Sequence, residues 1–389
     1  MTDRYSSYNE RLDDLRASGV ERTLPDLDLA GKWVRHEGRT LLNLSGNGYL
    51  GLSDTSELRE GFDPWSRQWT SASSRLLTGN DKAYRDFEDL LVSAYGAESA
   101  LVWDSGYHAN SGLIPVLADT DTLIVADRLI HASIIDGIRL SKAEFTRFRH
   151  NDIGHLRSIL AEKAHNYAKV WIITEALFSM DGDIAPLREI AKIKREYPNA
   201  FLYVDEAHSV GVFGDRGLGL SAREGILDDV DVLVGTLGKA LGAVGAYSLQ
   251  KKVLRSLIVS TARPFIYSTA LPPITVAWAA HLFRKMMEMD DKRKHLYHLM
   301  SYMGVRLGMT VYSQIIPIII PGNEACTKAA EHLTDLGFYV RPIRKPTVPE
   351  GQERLRLSLS ADMTIYELST LCDHLLFLRG GLSPIRLIP

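Results

Sequence analysis

Cysteine is nearly absent from this sequence, since its 389 residues contain two, Cys326 and Cys372. Two distant cysteines build neither a disulfide framework nor a closely spaced metal-binding pair, so we expect a reducing, cytoplasmic location and no metal site. Long apolar runs are missing too: the most apolar stretch, residues 315–320, is interrupted by Pro317 and is far too short for a membrane span. The charged first 18 residues lack the apolar core of a signal peptide, so we expect no membrane association.

An excess of positive charge is also absent. Lys and Arg number 45 against 48 Asp and Glu, for a formal net charge of −3. No overall positive field therefore attracts nucleic acid or anionic lipid. The chain is 45% hydrophobic and 24% charged, with a mean hydropathy of −0.08, which is typical of a soluble globular protein. Its length predicts two or three domains.

Six short apolar runs have the length and β-branched content of buried parallel strands, and the segments between them have room for crossover helices. The runs are residues 99–103, 122–126, 170–174, 201–204, 231–235 and 243–249. This alternation predicts an α/β fold with a mostly parallel central sheet flanked by helices.

The flanking regions have other patterns. Residues 8–18 read as a short amphipathic helix, and a hairpin-like stretch follows from Lys32. After Pro273, helical and strand patterns predict a smaller α+β domain. We expect an N-terminal arm (1–45), a large domain (46–275) and a small C-terminal domain (276–389).

Polar residues follow five of the six runs at the point where each run ends. They include Gly106 and Tyr107, His131, Glu175 and Ser179, Asp205 and His208, and Thr236 and Lys239. Ligands of open α/β sheets bind beyond the carboxyl ends of the strands, so we expect one site there.

The string Asp205-Glu206-Ala207-His208 also occurs in nucleotide hydrolases, which need a phosphate loop of the form G-x-x-x-x-G-K-[ST]. The Gly-Lys candidate, Gly238-Lys239, has Leu233 at the first glycine position and Ala240 in place of the magnesium-binding hydroxyl. It also follows the acidic string rather than preceding it. No G-x-G-x-x-G follows a strand and opens a helix, so neither an ATPase nor a dinucleotide-binding fold is supported.

An acid, a lysine and a phosphate cradle at one sheet edge suit pyridoxal phosphate. In such sites a lysine forms a Schiff base with the aldehyde, and a carboxylate keeps the ring nitrogen protonated. Backbone N–H groups at a helix start bind the phosphate. Asp205 precedes Lys239 by 34 residues, about one strand–helix–strand unit. The sequence therefore predicts this cofactor.

Six strings carry a family resemblance: NLSGNGYLGL (43–52), DSGYHAN (104–110), ADRLIHAS (126–133), TEALFSMDGDIAPL (174–187), VDEAHSVGVFGDRGLG (204–219) and GTLGKALGAVGAY (235–247). Over about residues 39–361 the chain resembles the α-oxoamine synthases, which condense amino acids with acyl-CoA. The resemblance implies a fold-type I aminotransferase-like fold with a cofactor-binding large domain. It also implies decarboxylative acyl transfer and a homodimer with shared active sites.

Three further strings are similar to one branch of this family, namely Gly245-Ala246, IYSTALPP (266–273) and PTVPEGQERLRLSLSA (346–361). That branch joins L-alanine to a pimeloyl thioester, carried by coenzyme A or a carrier protein, in biotin biosynthesis. Relatives that use glycine or serine tend to carry Gly-Gly in place of Gly245-Ala246. Two alternatives stay open: an enzyme using glycine or serine with a different acyl-CoA, and a non-catalytic subunit, which would be expected to lack Lys239.

The resemblance assigns four catalytic residues. Lys239 matches the Schiff-base lysine and Asp205 the partner of the ring nitrogen. His208 matches the residue that hydrogen-bonds the phenolic oxygen, although a hydrogen-bonded loop histidine is the alternative. His131 matches the ring that stacks on the cofactor, with a helix cap as its alternative.

Four further residues are implied near the cofactor. The backbone N–H groups of Gly106 and Tyr107 and the hydroxyl of Thr236 should contact the phosphate. Ser179 should lie near the ring oxygen, with turn formation as the alternative.

Substrate contacts are implied as well. Arg356 matches the arginine that binds the amino-acid carboxylate, for which a bidentate guanidinium is well suited. Asn47 matches a second carboxylate contact, and Arg22 and Arg344 are candidates for the acyl donor. Arg354 shares a strand face with Arg356, and for it a solvent-facing side chain is the alternative.

Two segments concern the dimer. Ser268 and Thr269 resemble residues that reach the phosphate of the neighbouring subunit's cofactor. Residues 69–91 depart from the family pattern, because alanine and serine replace glycines and Tyr84 stands at a histidine position. In the family this segment lies near the partner's active site and the acyl donor, so the departure bears on the acyl substrate.

Overall fold

The structure, a computed structural model, describes residues 4–52 and 56–381. These residues form two compact units. The large unit contains residues 47–52, 56–179 and 183–295, and the small unit contains residues 4–46, 180–182 and 296–381. Residues 276–295 thus group with the large unit, whereas the division into an arm and two domains stays a prediction.

The strands within the described part of the chain are β1 (Asp28–Ala30), β2 (Trp33–His36), β3 (Arg39–Asn43), β4 (Ser99–Trp103), β5 (Thr122–Asp127), β6 (Glu144–Phe148), β7 (Lys169–Glu175), β8 (Ala200–Asp205), β9 (Val232–Thr236), β10 (Ala246–Gln250), β11 (Ile315–Ile319), β12 (Phe338–Tyr339), β13 (Pro342–Ile343) and β14 (Arg354–Ser358).

The α-helices in the same residues are α1 (Ser6–Ala17), α2 (Ser56–Arg59), α3 (Lys82–Tyr95), α4 (Gly106–Leu117), α5 (Ala132–Leu140), α6 (Ile153–Lys163), α7 (Leu187–Glu196), α8 (Leu220–Arg223), α9 (Lys252–Thr261), α10 (Arg263–Tyr267), α11 (Pro273–Met287), α12 (Asp290–Leu307), α13 (Asn323–Asp335) and α14 (Ile365–Gly381). A π-helical turn spans Arg75–Gly79. No helix among residues 4–52 and 56–381 has the length and apolarity needed to cross a membrane.

The seven strands of the large unit form one sheet in the order β4-β10-β9-β8-β7-β5-β6. The pairings from β9 through β6 are parallel, so the predicted mostly parallel sheet is confirmed. The prediction was wrong for residues 243–249, because β10 runs antiparallel to both neighbours. That strand begins at Ala246, since the preceding residues form a turn in which Leu237 N–H donates to the Gly245 carbonyl at 2.9 Å.

Strand β6 was not predicted. Its sequence, EFTRF, contains no continuous apolar run, because β6 lies at the edge of the sheet and is only partly buried. The central strands β5, β7 and β8 are almost completely buried, as their apolar runs predicted.

Helices α4 and α5 cover one face of this sheet. Leu113 and Ile134 from the helices pack with Ile124 and Ile173 from the strands in a single buried cluster. The two helices approach closely at Gly137, where a Cβ atom would lie 2.6 Å from the Asn110 carbonyl oxygen. A larger residue would therefore force these helices apart, which matters because both helices begin at the candidate site.

The small unit contains the predicted N-terminal helix as α1 and the predicted hairpin as β2 and β3, which pair antiparallel. Strand β12 joins β3 in parallel. A second sheet has the order β11-β14-β13. Pro317 is tolerated in β11 because that strand lies at the edge of its sheet. One side of its backbone therefore has no neighbouring strand to which an N–H would donate.

Candidate active site

A cavity of about 170 Å³ lies in the large unit, at the carboxyl ends of its parallel strands. Seven of the predicted residues line it: Gly106, Tyr107, His131, Asp205, His208, Thr236 and Lys239. Four further lining residues were not assigned a role from sequence: Asn110, Ser133, Glu175 and Ala207. The residues predicted at the strand ends therefore gather around one cavity.

Lys239 follows β9, and its Nζ lies 2.7 Å from His208 Nε2. His208 Nδ1 lies 2.7 Å from the hydroxyl of Tyr49, which donates to Asn47 Oδ1 at 2.9 Å. Since Tyr49 has one hydroxyl proton and gives it to Asn47, His208 Nδ1 is the donor to Tyr49, and Nε2 accepts from Lys239. The lysine nitrogen is thus held at one end of a chain of hydrogen bonds that reaches Asn47.

Asp205 ends β8 and is 5% exposed. Its carboxylate accepts hydrogen bonds from Asn110 Nδ2 at 2.8 Å and from the Ala207 N–H at 2.9 Å. A buried carboxylate with two such donors is held in one orientation and is compensated for its loss of water.

His131 is the N-cap of α5. Its Nδ1 accepts from the Ser133 N–H at 3.2 Å and from the Ser133 hydroxyl at 2.8 Å. Burial lowers the pKa of His131, with Asp205 opposing and Lys239 adding to that effect. His131 therefore does cap α5, as the alternative held. Its ring also lines the cavity and carries its proton on Nε2.

Glu175 ends β7 and pairs in register with Asp205 on β8. Its carboxyl is 3% exposed and accepts a hydrogen bond from the His131 N–H. Burial raises the pKa of Glu175 well above its usual range, and the neighbouring Asp205 charge raises it further. Burial beside the Asp205 charge therefore favours the neutral form of Glu175.

The start of α4 provides an anion-binding end to the cavity. Gly106 and Tyr107 are its first residues, and the first N–H groups of a helix have no intrahelical partner. Ser105 caps the helix by accepting from the His108 N–H at 3.1 Å. A Cβ atom built on Gly106 would meet no heavy atom within 4 Å, so open space lies beside these donors. This arrangement favours a phosphate.

Thr236 ends β9 on the same side. Its hydroxyl donates to the Gly245 carbonyl at 3.3 Å and accepts from the Gly238 N–H at 3.4 Å. Both contacts are long, so the hydroxyl can turn to a ligand at little cost.

His150 connects two loops beside this site. Its Nδ1 lies 2.9 Å from Asp127 Oδ1 and its Nε2 lies 2.7 Å from Asp183 Oδ2. Burial lowers the pKa of His150, but the two carboxylates outweigh it and raise the pKa to about 10. Asp127 also accepts from the Leu129 N–H at 2.8 Å, in the loop that leads to His131. The imidazolium therefore joins that loop to the segment after Ser179.

The family model for aminotransferase class I and II matches residues 39–375. A Haemophilus influenzae protein provisionally named 8-amino-7-oxononanoate synthase is 43% identical over 95% of this chain and 100% of its own length. A Pasteurella multocida protein with the same provisional name is 45% identical over 92% of this chain and 96% of its own.

Solved structures agree. The serine palmitoyltransferase of Sphingomonas wittichii has a TM-score of 0.88 and 30% identity, with 98% of each chain covered. An 8-amino-7-oxononanoate synthase from Francisella tularensis has a TM-score of 0.74 and 28% identity over 88% of this chain and 98% of that one.

The chain is an α-oxoamine synthase.

It therefore has the fold-type I aminotransferase-like fold and is a pyridoxal-phosphate-dependent C-acyltransferase, as predicted. The cavity of this α-oxoamine synthase fits the cofactor. It combines a lysine amine, a buried carboxylate with fixed donors and an open helix start at Gly106. Lys239, Asp205 and the N–H groups of α4 are the residues that would hold the aldehyde, the ring nitrogen and the phosphate.

Three predicted cofactor residues do not line this cavity of the synthase. Ser179 is partly exposed beyond the end of β7. The Ser268 hydroxyl donates to Asp104, and Thr269 is exposed and forms an isolated β-bridge with Ser74. Their assigned roles stay predictions.

Arg354 and Arg356 lie on β14 in the small unit, and the solvent-facing alternative is wrong for Arg354. Arg354 is 3% exposed and donates to Asp181 Oδ1 at 2.6 Å and to the Met180 carbonyl at 3.0 Å. Arg356 is 7% exposed and donates to Ser358 Oγ at 2.7 Å. The two buried guanidinium groups on this strand therefore have different contacts. Arg354 anchors the 180–182 segment, whereas Arg356 contacts Ser358 on its own strand.

Arg22 and Arg344 converge in the small unit. Arg22 is exposed and donates to Thr347 Oγ1 at 3.0 Å, while the Thr347 N–H donates to the Arg344 carbonyl at 2.9 Å. The structure brings the two arginines to the same turn, and their contact with an acyl donor stays a prediction.

Tyr84, which stands at the family's histidine position, is 1% exposed. The Arg75 guanidinium lies 4.1 Å from the centre of its ring, and its hydroxyl donates to the Leu271 carbonyl at 3.1 Å. Arg75 is also paired with Glu88 at 2.8 Å. Tyr84, the residue that departs from the family pattern, is therefore a packed aromatic side chain in the core of the large unit.

Sequence reasoning missed Tyr49, Asn110 and Ser133, and it named Glu175 as a strand-end residue without giving it a role. Signals in the sequence were present for three of these four residues. Asn110 stands one helical turn after Gly106, Ser133 two residues after His131, and Glu175 directly after a predicted strand. Tyr49 had no such signal, because its contact with His208 joins residues 159 positions apart.

Proposed function

We propose that this α-oxoamine synthase joins L-alanine to a pimeloyl thioester with loss of CO2, giving 8-amino-7-oxononanoate in biotin biosynthesis. The observation that carries the proposal is the identity of 43–45% over more than nine-tenths of the chain to relatives with that provisional name. The strings at 245–246, 266–273 and 346–361 support the same branch.

When bound, pyridoxal phosphate withdraws electrons from the Cα atom of the amino acid. Lys239 Nζ is the group that takes the Cα proton and later returns it. His208 Nε2, 2.7 Å away, accepts an N–H of Lys239, so the lone pair of a neutral amine stays available for that proton. Asp205, held by two donors, is the carboxylate that would pair with the ring nitrogen. Neutral Glu175 adds no second negative charge there.

Asn47 and Arg356 bind the substrate carboxylate, the first through its amide N–H groups and the second through a bidentate guanidinium. Asn47 Oδ1 accepts from Tyr49 at 2.9 Å, which fixes the orientation of the amide. Arg22 and Arg344 contact the acyl donor.

We also propose a homodimer with shared active sites. The large unit exposes Trp65 (79%), Leu77 (79%) and Tyr267 (71%), and exposed apolar side chains of this size are common at interfaces. The Ser74–Thr269 bridge joins the segments that carry Leu77 and Tyr267. Ser268 and Thr269 would then complete the phosphate site of the neighbouring subunit.

A second candidate is favoured by one observation. The backbone matches a serine palmitoyltransferase with a TM-score of 0.88 over 98% of both chains. An enzyme that uses serine or glycine with another acyl-CoA is therefore the alternative. The identity of 30% to this serine palmitoyltransferase is, however, well below the 43% to the Haemophilus influenzae relative.

The test is product mass analysis after incubation with alanine, glycine or serine and thioesters of increasing acyl length, on coenzyme A or carrier protein. We expect one dominant product, 8-amino-7-oxononanoate, from alanine and the pimeloyl donor, and none from the Lys239→Ala control. A dominant product from serine and a long-chain donor would overturn the assignment.

A further inference from the structure

We propose that Asn110 is a positioning residue that holds Asp205 and His131 in one hydrogen-bond network and fixes which atoms of that network carry protons. The proposal rests on the roles assigned above to those two residues toward the cofactor ring. It adds a residue that contacts neither the aldehyde nor the phosphate in those assignments.

Asn110 uses every hydrogen-bonding atom of its amide. It is 1% exposed, and its Oδ1 accepts from the Tyr203 hydroxyl at 2.6 Å. Its Nδ2 donates to Asp205 Oδ2 at 2.8 Å and to Ser133 Oγ at 2.9 Å. Reversing the amide would place Oδ1 against the Asp205 carboxylate, with acceptor facing acceptor, so the orientation is fixed by charge.

The network continues to His131 with a defined direction. Ser133 Oγ accepts from Asn110, so its own proton is directed to His131 Nδ1 at 2.8 Å. The Ser133 N–H donates to the same nitrogen at 3.2 Å. Nδ1 is therefore an acceptor, and the ring carries its proton on Nε2 as a neutral imidazole. A neutral ring is suited to a site whose ligand has a protonated ring nitrogen.

Backbone packing keeps these residues in register. Asn110 lies one turn into α4, whose start provides the anion-binding N–H groups, and Ser133 lies in the first turn of α5. The two helices meet at Gly137, where a Cβ atom would lie 2.6 Å from the Asn110 carbonyl. One residue thereby connects the phosphate end, the ring-nitrogen partner and the ring-facing histidine.

A matched control is available in Asn199. It also donates two amide hydrogen bonds, to the Ala164 carbonyl at 3.0 Å and the Tyr167 carbonyl at 2.8 Å. It precedes β8, at the end of the strand opposite Asp205. Asn199→Ala should lower stability without altering the site.

The first measurement is the dissociation constant of pyridoxal phosphate for the full chain and its variants. Loss of one charge-assisted hydrogen bond to Asp205 should weaken binding about 10- to 100-fold in Asn110→Ala. Ser133→Ala keeps the Asn110–Asp205 bond and should bind almost normally. Asn199→Ala should bind as the unaltered chain does.

The second measurement needs no cofactor. ¹⁵N resonances of the His131 ring, assigned by their loss in His131→Asn, should show an unprotonated Nδ1 in the unaltered chain. In Asn110→Asp the new carboxylate draws the Ser133 proton away, so the protonated share of Nδ1 should rise. In Ser133→Ala the Nδ1 resonance should shift because its hydroxyl donor is gone.

Two affinity results would overturn the proposal. In the first, Asn110→Ala binds pyridoxal phosphate as tightly as Asn199→Ala does, while Asp205→Ala binds it weakly. This result would refute the role of Asn110 and leave that of Asp205. The other is normal binding by Asp205→Ala, which removes the assigned role of Asp205 and the proposal together. If Asn110→Ala does not fold, a protonated His131 Nδ1 in the unaltered chain refutes the network.

Discussion

Replacing His150 by asparagine should make the stability of this enzyme less dependent on pH. In the folded chain the pKa of His150 is about 10, because Asp127 and Asp183 hold both ring nitrogens protonated, against an ordinary value of about 6.5. Below about pH 6.5 the ring is charged in both states and its ion pairs contribute fully. As pH rises toward 10, the folded chain must hold a proton that the unfolded chain has lost, so the contribution declines.

The magnitude follows from the shift. Each pKa unit corresponds to about 1.4 kcal/mol, so a shift of about 3.5 units sets a ceiling near 5 kcal/mol. The His150 side chain is 24% exposed, and solvent screening reduces this to about 2 kcal/mol. We therefore expect the stability advantage over His150→Asn to shrink by about 2 kcal/mol between about pH 6 and 10.

The assay is urea unfolding at several pH values, at one protein concentration and with excess cofactor. The difference between the two chains is the quantity of interest, since contributions of other titrating groups largely cancel. His281→Asn is the control, because His281 contacts an uncharged partner, the Leu58 carbonyl, at 2.8 Å. A difference for His150→Asn that stays constant with pH would refute the reasoning.

Three other changes give distinct outcomes. Tyr49→Phe removes the partner of His208 Nδ1, so it should lower the free energy of unfolding by about 1–3 kcal/mol and also lower kcat. Urea unfolding and steady-state kinetics measure these two effects, and an unchanged kcat would contradict the hydrogen-bond chain. Lys239→Ala should bind pyridoxal phosphate without gaining mass on borohydride reduction and should release no product, whereas normal turnover would overturn the assignment of Lys239. Mixing Lys239→Ala with Thr269→Asp chains should restore part of the activity in hybrid dimers, and a fully active monomer on a sizing column would contradict shared sites.

Much of the site was predictable because buried parallel strands have a clear sequence pattern. Continuous apolar runs located β7, β8 and β9, and parallel strands end at the same sheet edge. Asp205 and Lys239 were therefore expected to be neighbours in space, and both line the cavity. Their chemical roles stay predictions.

Other features lacked a local signal. A buried strand has the same composition in either direction, so the reversal of β10 was not visible in its sequence. The alternation in RLRLSLS does not distinguish a buried arginine from an exposed one. Arg354 is buried because of Asp181, which lies 173 positions away along the chain. Long-range polar partners of this kind decide the site and are read only from the fold.

The choice of amino acid is the central claim, and kcat/KM for alanine and glycine with the same pimeloyl thioester tests it most directly. This ratio reports the preference of the transition state, whereas binding alone does not. One methyl group in an apolar pocket contributes about 1–3 kcal/mol, so alanine should be favoured about 10- to 100-fold. A kcat/KM for glycine equal to or above that for alanine would contradict the proposed function.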